Sequence, residues 1–351
     1  MQLNRNAPLA LYYQLKQILE NDIKELNLKE GDKLPSENTL MEKYNVSRTL
    51  IKQTFNLMIN EGLVYRIQGK GTFVAKQVKR IKSTGNLGFI LCNRSSEDHI
   101  YSNLLKYTDR AASKNKMQLI FRRIDNFFSN DQLPKMILDR TVDGVVVTGE
   151  VSQAFIKALK QSGIYFILLG TYFKNDPELT MVTPDDLSMS ETALNYLREF
   201  GHNRIMLLRG PNYPCHIDAE KAFLELGGSL TDVVKCETIQ ISDAYELCCN
   251  VFNTDLKYTA IFASDTRLAI GALEAAKANK ISVPDELSII SLGGCGLSNF
   301  TTPHISTVDP DFKSLCSQAV EILLSGFRNN KMEKGVFIIE DKKKIDGNSV
   351  K

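Results

Sequence analysis

The sequence predicts a multidomain α/β protein: an N-terminal winged helix-turn-helix (α+β), followed by a two-lobed α/β body built on parallel sheets. Three observations predict this class. A chain of 351 residues is too long for one ordinary core. Residues 36–75 have the pattern of two short helices and a hairpin. From residue 87 onward, short apolar runs alternate with amphipathic segments, which is typical of parallel strands covered by helices on both faces.

Two capped helices are expected in the head. Ser36 can cap the first, with Glu37 complementing its dipole, and Ser47 can cap the second after a break at Asn45 and Val46. The second helix has an apolar side and a polar side. The apolar side carries Leu50, Ile51, Thr54, Leu57 and Met58, and the polar side carries Arg48, Thr49, Lys52, Gln53, Asn56 and Asn60. Such polar groups suit phosphates and base edges, so we expect this helix to enter a major groove of DNA.

The segment RIQGKGTFVAK, residues 66–76, is expected to form the wing. Two glycines around a lysine suggest a phosphate-binding loop, but neither GxxxxGK[ST] nor GxGxxG is present. Those loops lead into a helix, whereas the residues after Gly71 favour a strand. We therefore interpret QGKG as the tip of a hairpin.

GDKLPSENTLMEKYNVSRTLIKQTFNLMINEGLVYRIQGKGTFV resembles the DNA-binding domain of GntR-family transcription regulators, over about residues 8–75. The resemblance implies that Arg48, in VSR, reads bases and that Gly69 and Lys70 approach the minor groove. Members often have VSRTTVREAL, so VSRTLIKQTF implies a different base preference around Leu50, Lys52 and Gln53. The expected DNA contacts are Lys33, Ser36, Glu37, Ser47, Arg48, Thr49, Lys52, Gln53, Arg66, Gln68, Gly69, Lys70 and Gly71.

Charge is unevenly distributed along the chain. Residues 1–82 carry 14 Lys/Arg and 8 Asp/Glu, a net charge of +6, while the remainder has a net charge of −4. A basic head on a mildly acidic body suggests a polyanionic partner. The basic segment KQVKRIKSTGN, 76–86, is interpreted as a linker between a head at 1–75 and a body at 87–351, with a solvated surface strand as the alternative.

Two α/β sets are expected in the body. We place the first lobe at about 87–185 and 308–328, and the second at about 186–307 and 329–345. Helices are expected at 151–162, 187–200 and 267–279, between apolar runs such as DGVVVTG, RIMLLRG and TAIFAS. In open parallel sheets, a ligand cleft forms at the carboxyl ends of the strands.

The chain lacks the sequence patterns of catalytic or metal centres. Its four histidines form no HExxH, GxSxG is absent, and the seven cysteines have no metal-ligand spacing. SLGGCGLSN around Cys295 fits a glycine-rich loop better than a nucleophile loop. We expect no enzymatic activity, no cofactor and no metal. The absence of an 18-residue apolar run and of a secretory signal, with an odd cysteine count, predicts a cytoplasmic protein without membrane contact.

The body resembles the effector domain of LacI/GalR regulators, which is related to periplasmic sugar-binding proteins, over roughly residues 87–341. VDGVVVTG, LREFGHNRIMLLRGP, TAIFASDTRLAIGAL, VPDELSIISLGG and PHISTVDPDF carry the resemblance, in the family's order. A GntR head on this body is similar to the arabinose-repressor subgroup. The resemblance implies a sensor of sugars or nucleobase-type metabolites that dimerises through its body. Two heads are also what useful specificity requires, so we expect a homodimer on palindromic duplex operator DNA.

Three positions depart from sugar-binding members of that family. Ala219 stands where an Arg is common, Ser264 where an Asn commonly precedes the Asp, and Gly293 where a carboxylate is common. Alanine cannot supply the bidentate geometry of an arginine. Because the fixed cation at residue 219 is missing, we expect a neutral sugar rather than a sugar acid or sugar phosphate.

The expected effector contacts are Tyr101, Tyr172, His216, Asp218, Ser264, Asp265 and Gly293. Tyr101 would stack on the ligand, while Asp218 and Asp265 would accept hydrogen bonds from hydroxyls. The predicted function is a sequence-specific transcriptional regulator, a repressor, controlled by a metabolite bound between the lobes. The alternatives are a nucleobase-type or phosphorylated effector, a sensor that has lost its ligand, a ligand-binding transport protein, and an enzyme acting on a sugar or nucleotide.

Overall fold

The structure is a computed structural model, and it describes residues 3, 10–60, 63–75, 83–96, 98–125, 133–170, 176, 178–254, 257–293, 296–329, 331–340, 342 and 347–351. Contacts divide the chain into two compact units. Unit 1 comprises Met1–Asn93, Ala112–Val146 and Val151–Phe166, and unit 2 comprises Arg94–Ala111, Val147–Glu150 and Ile167–Lys351. In the described part of the chain, no helix is both long and apolar enough to span a bilayer.

The described residues of the head, within unit 1, form three helices and a hairpin. They are α1 (Leu11–Glu25), α2 (Glu37–Tyr44), α3 (Arg48–Asn60), β1 (Val64–Ile67) and β2 (Gly71–Val74). Their shared core includes Leu15, Leu19, Leu40, Ile51 and Phe55. The sequence prediction missed α1, although Leu15, Leu19 and Ile23 have the four-residue spacing of one helical face.

The predicted caps of α2 and α3 are confirmed. The Ser36 hydroxyl accepts a hydrogen bond from the Thr39 amide at 3.1 Å, and the Ser47 hydroxyl accepts one from the Leu50 amide at 3.3 Å. Between the helices, Asn45 ends α2 in the left-handed conformation, with φ of 49°. A short amide side chain tolerates this conformation better than most, which explains the turn at this residue.

The predicted hairpin is also confirmed. β1 and β2 pair antiparallel, from Val64 opposite Val74 to Ile67 opposite Gly71. Gly69 and Gly71 have φ of 76° and 125°, values that favour glycine. Next to the tip of the hairpin, a Cβ on Gly71 would lie 2.7 Å from Cε of Lys33, so the glycine also makes room for that side chain.

The rest of unit 1 is α/β. β3 (Asn86–Cys92) pairs in parallel with β4 (Gln118–Ile124) over their whole length. α5 (Lys135–Leu138) and α6 (Gln153–Ser162) follow, separated by β5 (Gly144–Gly149). β5 and the next strand, β6 (Tyr165–Leu169), contribute residues to both units, as does α4 (His99–Lys114), which lies between β3 and β4 in the chain.

A five-stranded parallel sheet lies in unit 2. Its strands are β8 (Ile205–Arg209), β9 (Val233–Lys235), β10 (Ala260–Ala263), β11 (Ser288–Leu292) and β12 (Ser306–Val308), in the spatial order β12-β11-β10-β8-β9. The helices of this part are α7 (Asp186–Glu199), α8 (Pro214–Glu225), α9 (Ile241–Phe252) and α10 (Thr266–Ala278). Successive strand residues enter different core clusters. Met206 and Ile261 pack with α9 and α10, whereas Leu207 and Phe262 pack with α7 and α8. Both faces are therefore covered, which explains the continuous apolar runs.

One lobe boundary expected from the sequence is wrong. Residues 329–345 were placed in the second lobe, but β13 (Gly335–Ile339) pairs in parallel with β7 (Thr180–Pro184), which was placed in the first. α11 (Phe312–Asn329) leads into β13 and contacts β7. The chain then returns to the five-stranded sheet, where the Ile289 amide donates to the Ser349 carbonyl at 2.8 Å. Apolar periodicity identifies a strand but carries no information about its partner.

Candidate nucleic-acid interface and ligand cavity

The polar side of α3 is exposed, as predicted. Ser47, Arg48, Thr49, Lys52 and Gln53 are all exposed, while Ile51, Thr54 and Met58 on the opposite side are completely buried. The hairpin residues expected to contact DNA are exposed as well, namely Arg66, Gln68, Gly69 and Lys70. The head therefore presents a helix and an adjacent wing whose polar groups are open to a partner.

Glu37 joins three elements of this surface. Its carboxylate forms an ion pair with Arg66 of β1, and its second oxygen lies 3.7 Å from Nε of Arg48 at the start of α3. The Glu37 side chain is 14% exposed, whereas that of Arg48 is 66% exposed. We expected Glu37 itself to contact DNA, and here it holds two arginines beside each other.

Unit 2 contains a cavity of about 160 Å³ at the carboxyl ends of its parallel strands. Ser264 and Asp265 follow β10, Gly293 follows β11, and Gly170 follows β6. Five of the seven expected effector residues line it: Tyr101, His216, Ser264, Asp265 and Gly293. The rule that parallel strands form a crevice at their carboxyl ends therefore located the cavity correctly.

The two other expected residues have different outcomes. Asp218 is half-buried on α8 and is not among the residues that line the cavity, so its contact with an effector stays a prediction. His216 does line it, and a residue two positions further along an α-helix is rotated by about 200°, away from the same target. Tyr172 lies outside the described residues.

The backbone conformation explains why residue 293 is a glycine. Its φ is 69°, in the left-handed region, and among the described residues other than its chain neighbours no atom lies within 4 Å of a Cβ built on it. A side chain at this residue would be strained by the backbone conformation rather than by the described neighbours.

His216 is a buried and uncharged cavity residue. It is 3% exposed, and burial lowers its pKa to about 4, with the charge of Asp265 opposing the change. Nδ1 has no hydrogen-bond partner within the described residues. The ring packs so closely on Gly210 that a Cβ there would lie 2.7 Å from Nε2. A neutral imidazole with an open nitrogen can donate or accept one hydrogen bond, according to its tautomer.

Arg267 forms a network that the sequence reasoning missed. Its Nε and Nη2 donate to the two oxygens of Asp265 at 2.9 and 2.8 Å, and its Nη1 donates to Asp98 at 2.9 Å. Burial by itself would lower the pKa of Arg267, but the hydrogen bonds and charges of Asp265 and Asp98 outweigh it and raise the pKa. Asp265, which we expected to orient hydroxyls, is thus held in a bidentate pair.

A second network surrounds Tyr213. The Tyr213 hydroxyl donates to Glu150 at 3.1 Å, Glu150 pairs with Arg94, and the Arg94 guanidinium lies 5.1 Å from the Tyr213 ring centre. Arg94 and Tyr213 line the cavity, as does Phe312. Three aromatic rings, Tyr101, Tyr213 and Phe312, therefore share the cavity with two paired arginines.

These arginines correct one step of the ligand prediction. We inferred a missing fixed cation from Ala219, but Arg94 and Arg267 both line the cavity. Ala219 itself is fully buried in the core cluster that α8 forms with α7, and it does not line the cavity. Cations are present, although each one is paired with carboxylates.

Two family models match the chain. Residues 11–74 match bacterial regulatory proteins of the gntR family, and residues 194–350 match the periplasmic binding protein-like domain. The chain joins a GntR-type DNA-binding domain to a periplasmic-binding-protein-like domain. It is thus a transcription regulator with a GntR-type DNA-binding domain.

Relatives and solved structures agree with this composition. The arabinose metabolism transcriptional repressor of Halalkalibacterium halodurans is 23% identical, covering 92% of this chain and 91% of the relative. A LacI family regulator from Enterococcus faecium with bound ribose has a TM-score of 0.62 and 21% identity, over 76% of this chain and 98% of that one. The lac repressor dimer bound to operator has a TM-score of 0.65 and 14% identity, over 77% of this chain and 95% of that one. The two structures confirm the fold.

Proposed function

We propose that the chain represses transcription by binding operator DNA through its head, and that a neutral sugar in the unit 2 cavity controls this binding. The observation that carries the proposal is the lining of the cavity, in which three aromatic rings lie beside two neutralised arginines. Aromatic faces pack on the apolar faces of sugar rings, and paired charged groups offer both donors and acceptors to hydroxyls. The names of the arabinose-metabolism relative and of the ribose-bound structure agree with this class of ligand.

The charge balance of the cavity supports a neutral ligand. Arg94 is paired with Glu150, and Arg267 is paired with both Asp98 and Asp265, so two cations face three carboxylates. An anionic ligand would have to compete with these carboxylates for the same guanidinium groups. An arginine has five N–H donors, and the two aspartates take three of those of Arg267, which leaves donors suited to hydroxyl oxygens.

In the head, Arg48 and the wing have different proposed roles. Arg48 would bind a guanine edge in the major groove, because a guanidinium matches the two acceptors that guanine presents there. Lys70 at the hairpin tip would bind phosphate or approach the minor groove. A homodimer would place two heads on a palindrome, and the sugar would act by favouring one arrangement of the two heads over the other.

A thermal-shift screen of neutral monosaccharides, sugar phosphates and nucleobases tests the ligand class. A ligand at about 100 times its Kd adds about 2.7 kcal/mol to the free energy of unfolding. We expect stabilisation by a neutral monosaccharide. Stabilisation by sugar phosphates or nucleobases only would contradict the proposal.

Tyr101→Ala then tests the site with the sugar that the screen selects. We expect binding to weaken by about 1–3 kcal/mol, through lost stacking and burial. Without ligand, DNA affinity should stay nearly unchanged. Phe300→Ala is the matched control, because Phe300 is 85% exposed and does not line the cavity. Undiminished sugar binding by Tyr101→Ala would remove the cavity as the effector site.

A further inference from the structure

Helix α1 of the head is buried on more than one side. Leu15, Leu19 and Ile23 enter the head's own core. Tyr13 and Ile18 do not belong to that core cluster, yet they are only 2% and 5% exposed. A helix that served only its own small domain would show an exposed polar face at these positions.

The second side of α1 contacts the body within unit 1. Arg140 donates from Nη2 to the Tyr13 hydroxyl and, at 2.7 Å, to the Ser162 carbonyl at the end of α6. Its guanidinium also lies 5.3 Å from the centre of the Tyr13 ring. Arg140 therefore connects the head to the body by hydrogen bonds and by a cation–π contact.

Two neighbouring contacts extend this connection. The Tyr12 hydroxyl donates to the Leu138 carbonyl at 3.2 Å, just before Arg140. The Gln17 amide donates to the Gln161 carbonyl at 2.7 Å, one helical turn further along α1. The contacts at Tyr12 and Gln17 lie more than one helical turn apart, so together they define the direction of α1 on the body.

The chain that leaves the linker is fastened to the same part of the body. Asp143 is 4% exposed and accepts hydrogen bonds from the Ser83 hydroxyl and from the amide and hydroxyl of Thr84, the latter two at 2.7 and 2.8 Å. Residues 138–143 thus hold the head through α1 and hold the start of the body chain through Asp143.

The contact leaves the DNA-reading surface open. Arg48, Lys52 and Gln53 remain exposed on α3. On the buried side of α3, the Thr54 hydroxyl donates to the Tyr12 carbonyl at 3.1 Å, so α3 is tied to α1 beside the docking contact. The orientation of α3 follows that of α1, and the orientation of α1 is set by the body.

We propose that Arg140 is a positioning residue, which docks α1 on the body and so fixes the direction of the DNA-reading helix before DNA is bound. The proposal rests on the DNA-binding function proposed above. A head that is already oriented loses less freedom when two heads must bind two half-sites together, so docking should raise affinity for a full site. A single half-site needs no relative orientation and should not depend on docking.

The test compares Arg140→Ala with Arg123→Ala in the full chain. Arg123 is a matched control, because it lies in unit 1 and its ion pair is with Asp125 on the surface. Hydrogen exchange should rise in residues 11–17 and 161–165 of Arg140→Ala only. The full operator is the duplex that the wild-type chain selects from random sequences. The affinity of Arg140→Ala for it should fall about tenfold, which corresponds to about 1.4 kcal/mol. Affinity for one half-site, and the salt dependence of binding, should stay unchanged.

Tyr13→Phe provides a second, milder variant. It keeps the ring and removes only the hydroxyl that receives the Arg140 hydrogen bond, so a loss of about threefold on the full site is expected. Unchanged exchange in Arg140→Ala, higher full-site affinity, or an equal loss on both duplexes would overturn the positioning role. If the wild-type chain selects no DNA, both the proposed function and the positioning role fail. If the wild-type chain selects DNA but Arg140→Ala binds the full site as tightly as the wild type, only the positioning role fails.

Discussion

The DNA-reading surface and the ligand cavity use arginine in opposite ways. In the head, Arg48 and Arg66 have side chains 66% and 45% exposed, and they share the single carboxylate of Glu37. In the cavity, Arg267 is 23% exposed and is paired with two carboxylates. On the function proposed above, the head keeps its cations exposed to water and in excess for a polyanion, while the cavity neutralises its cations for a neutral ligand.

This difference determines what each pair contributes to stability. Pairs between exposed groups contribute little, typically below about 1 kcal/mol, because water and salt screen them. Removing one partner of a buried pair leaves an uncompensated charge and costs several kcal/mol. Substitutions in the cavity should therefore affect folding, and substitutions on the DNA-reading surface should affect binding.

Arg267→Ala should show the largest effect. It leaves Asp98 and Asp265 without their cation in a mostly buried place, so the free energy of unfolding should fall by about 3 kcal/mol. Urea denaturation at pH 7 measures this. Lys277→Ala is the control, since Lys277 pairs with Glu274 on an exposed face, and it should change stability by less than about 0.5 kcal/mol. Equal effects would show that the cavity network is as weak as a surface pair.

His216 should make the body sensitive to acid. Burial holds its pKa at about 4, below the value of about 6.5 in an unfolded chain, so the unfolded state binds more protons between these values. The stabilising contribution is therefore complete above pH 6.5 and is lost as pH falls toward 4, by up to about 3 kcal/mol. Urea denaturation at several pH values should show a shallower pH dependence in His216→Gln. The exposed His99 gives a control, and an unchanged slope in His216→Gln with a changed slope in His99→Gln would contradict the assignment.

The two regions also differ in how far the sequence predicts them. The DNA-reading surface is built from one contiguous stretch, in which Ser36, Ser47 and the Gly-Lys-Gly tip determine local structure by capping and turn chemistry. The cavity was located by the rule for parallel strands, but its networks were not predicted. Arg267 and Asp98 are 169 residues apart, and nothing local to either residue indicates the other. The pairing of β13 with β7 was missed for the same reason, because strand pairing joins residues that are far apart in the sequence.

Arg48→Ala tests the exposed side of the comparison. If Arg48 makes a bidentate contact with a base, specific affinity should fall by about 1–3 kcal/mol, and the preference at that base should relax. Stability should barely change, because the side chain is exposed. Binding to the selected operator and to variants with each base changed measures both effects. An intact base preference in Arg48→Ala would show that another residue reads that position.

Lys70→Ala should produce the smallest loss of DNA affinity. How that loss depends on salt and on DNA sequence is more informative than its size. Lys70 is exposed at the tip of the hairpin, where its amide bonds the Ile67 carbonyl at 3.0 Å and its backbone position is set by the turn. Removing a lysine that contacts one phosphate releases about one fewer counterion on binding, so the slope of log affinity against log salt should decrease by about 0.9. Selected and random duplexes should lose affinity about equally, because a phosphate contact carries no sequence information. Titrations at several salt concentrations on both duplexes measure this. Loss on the selected duplex alone would mean that Lys70 reads the minor groove, and the wing would then share sequence recognition with α3.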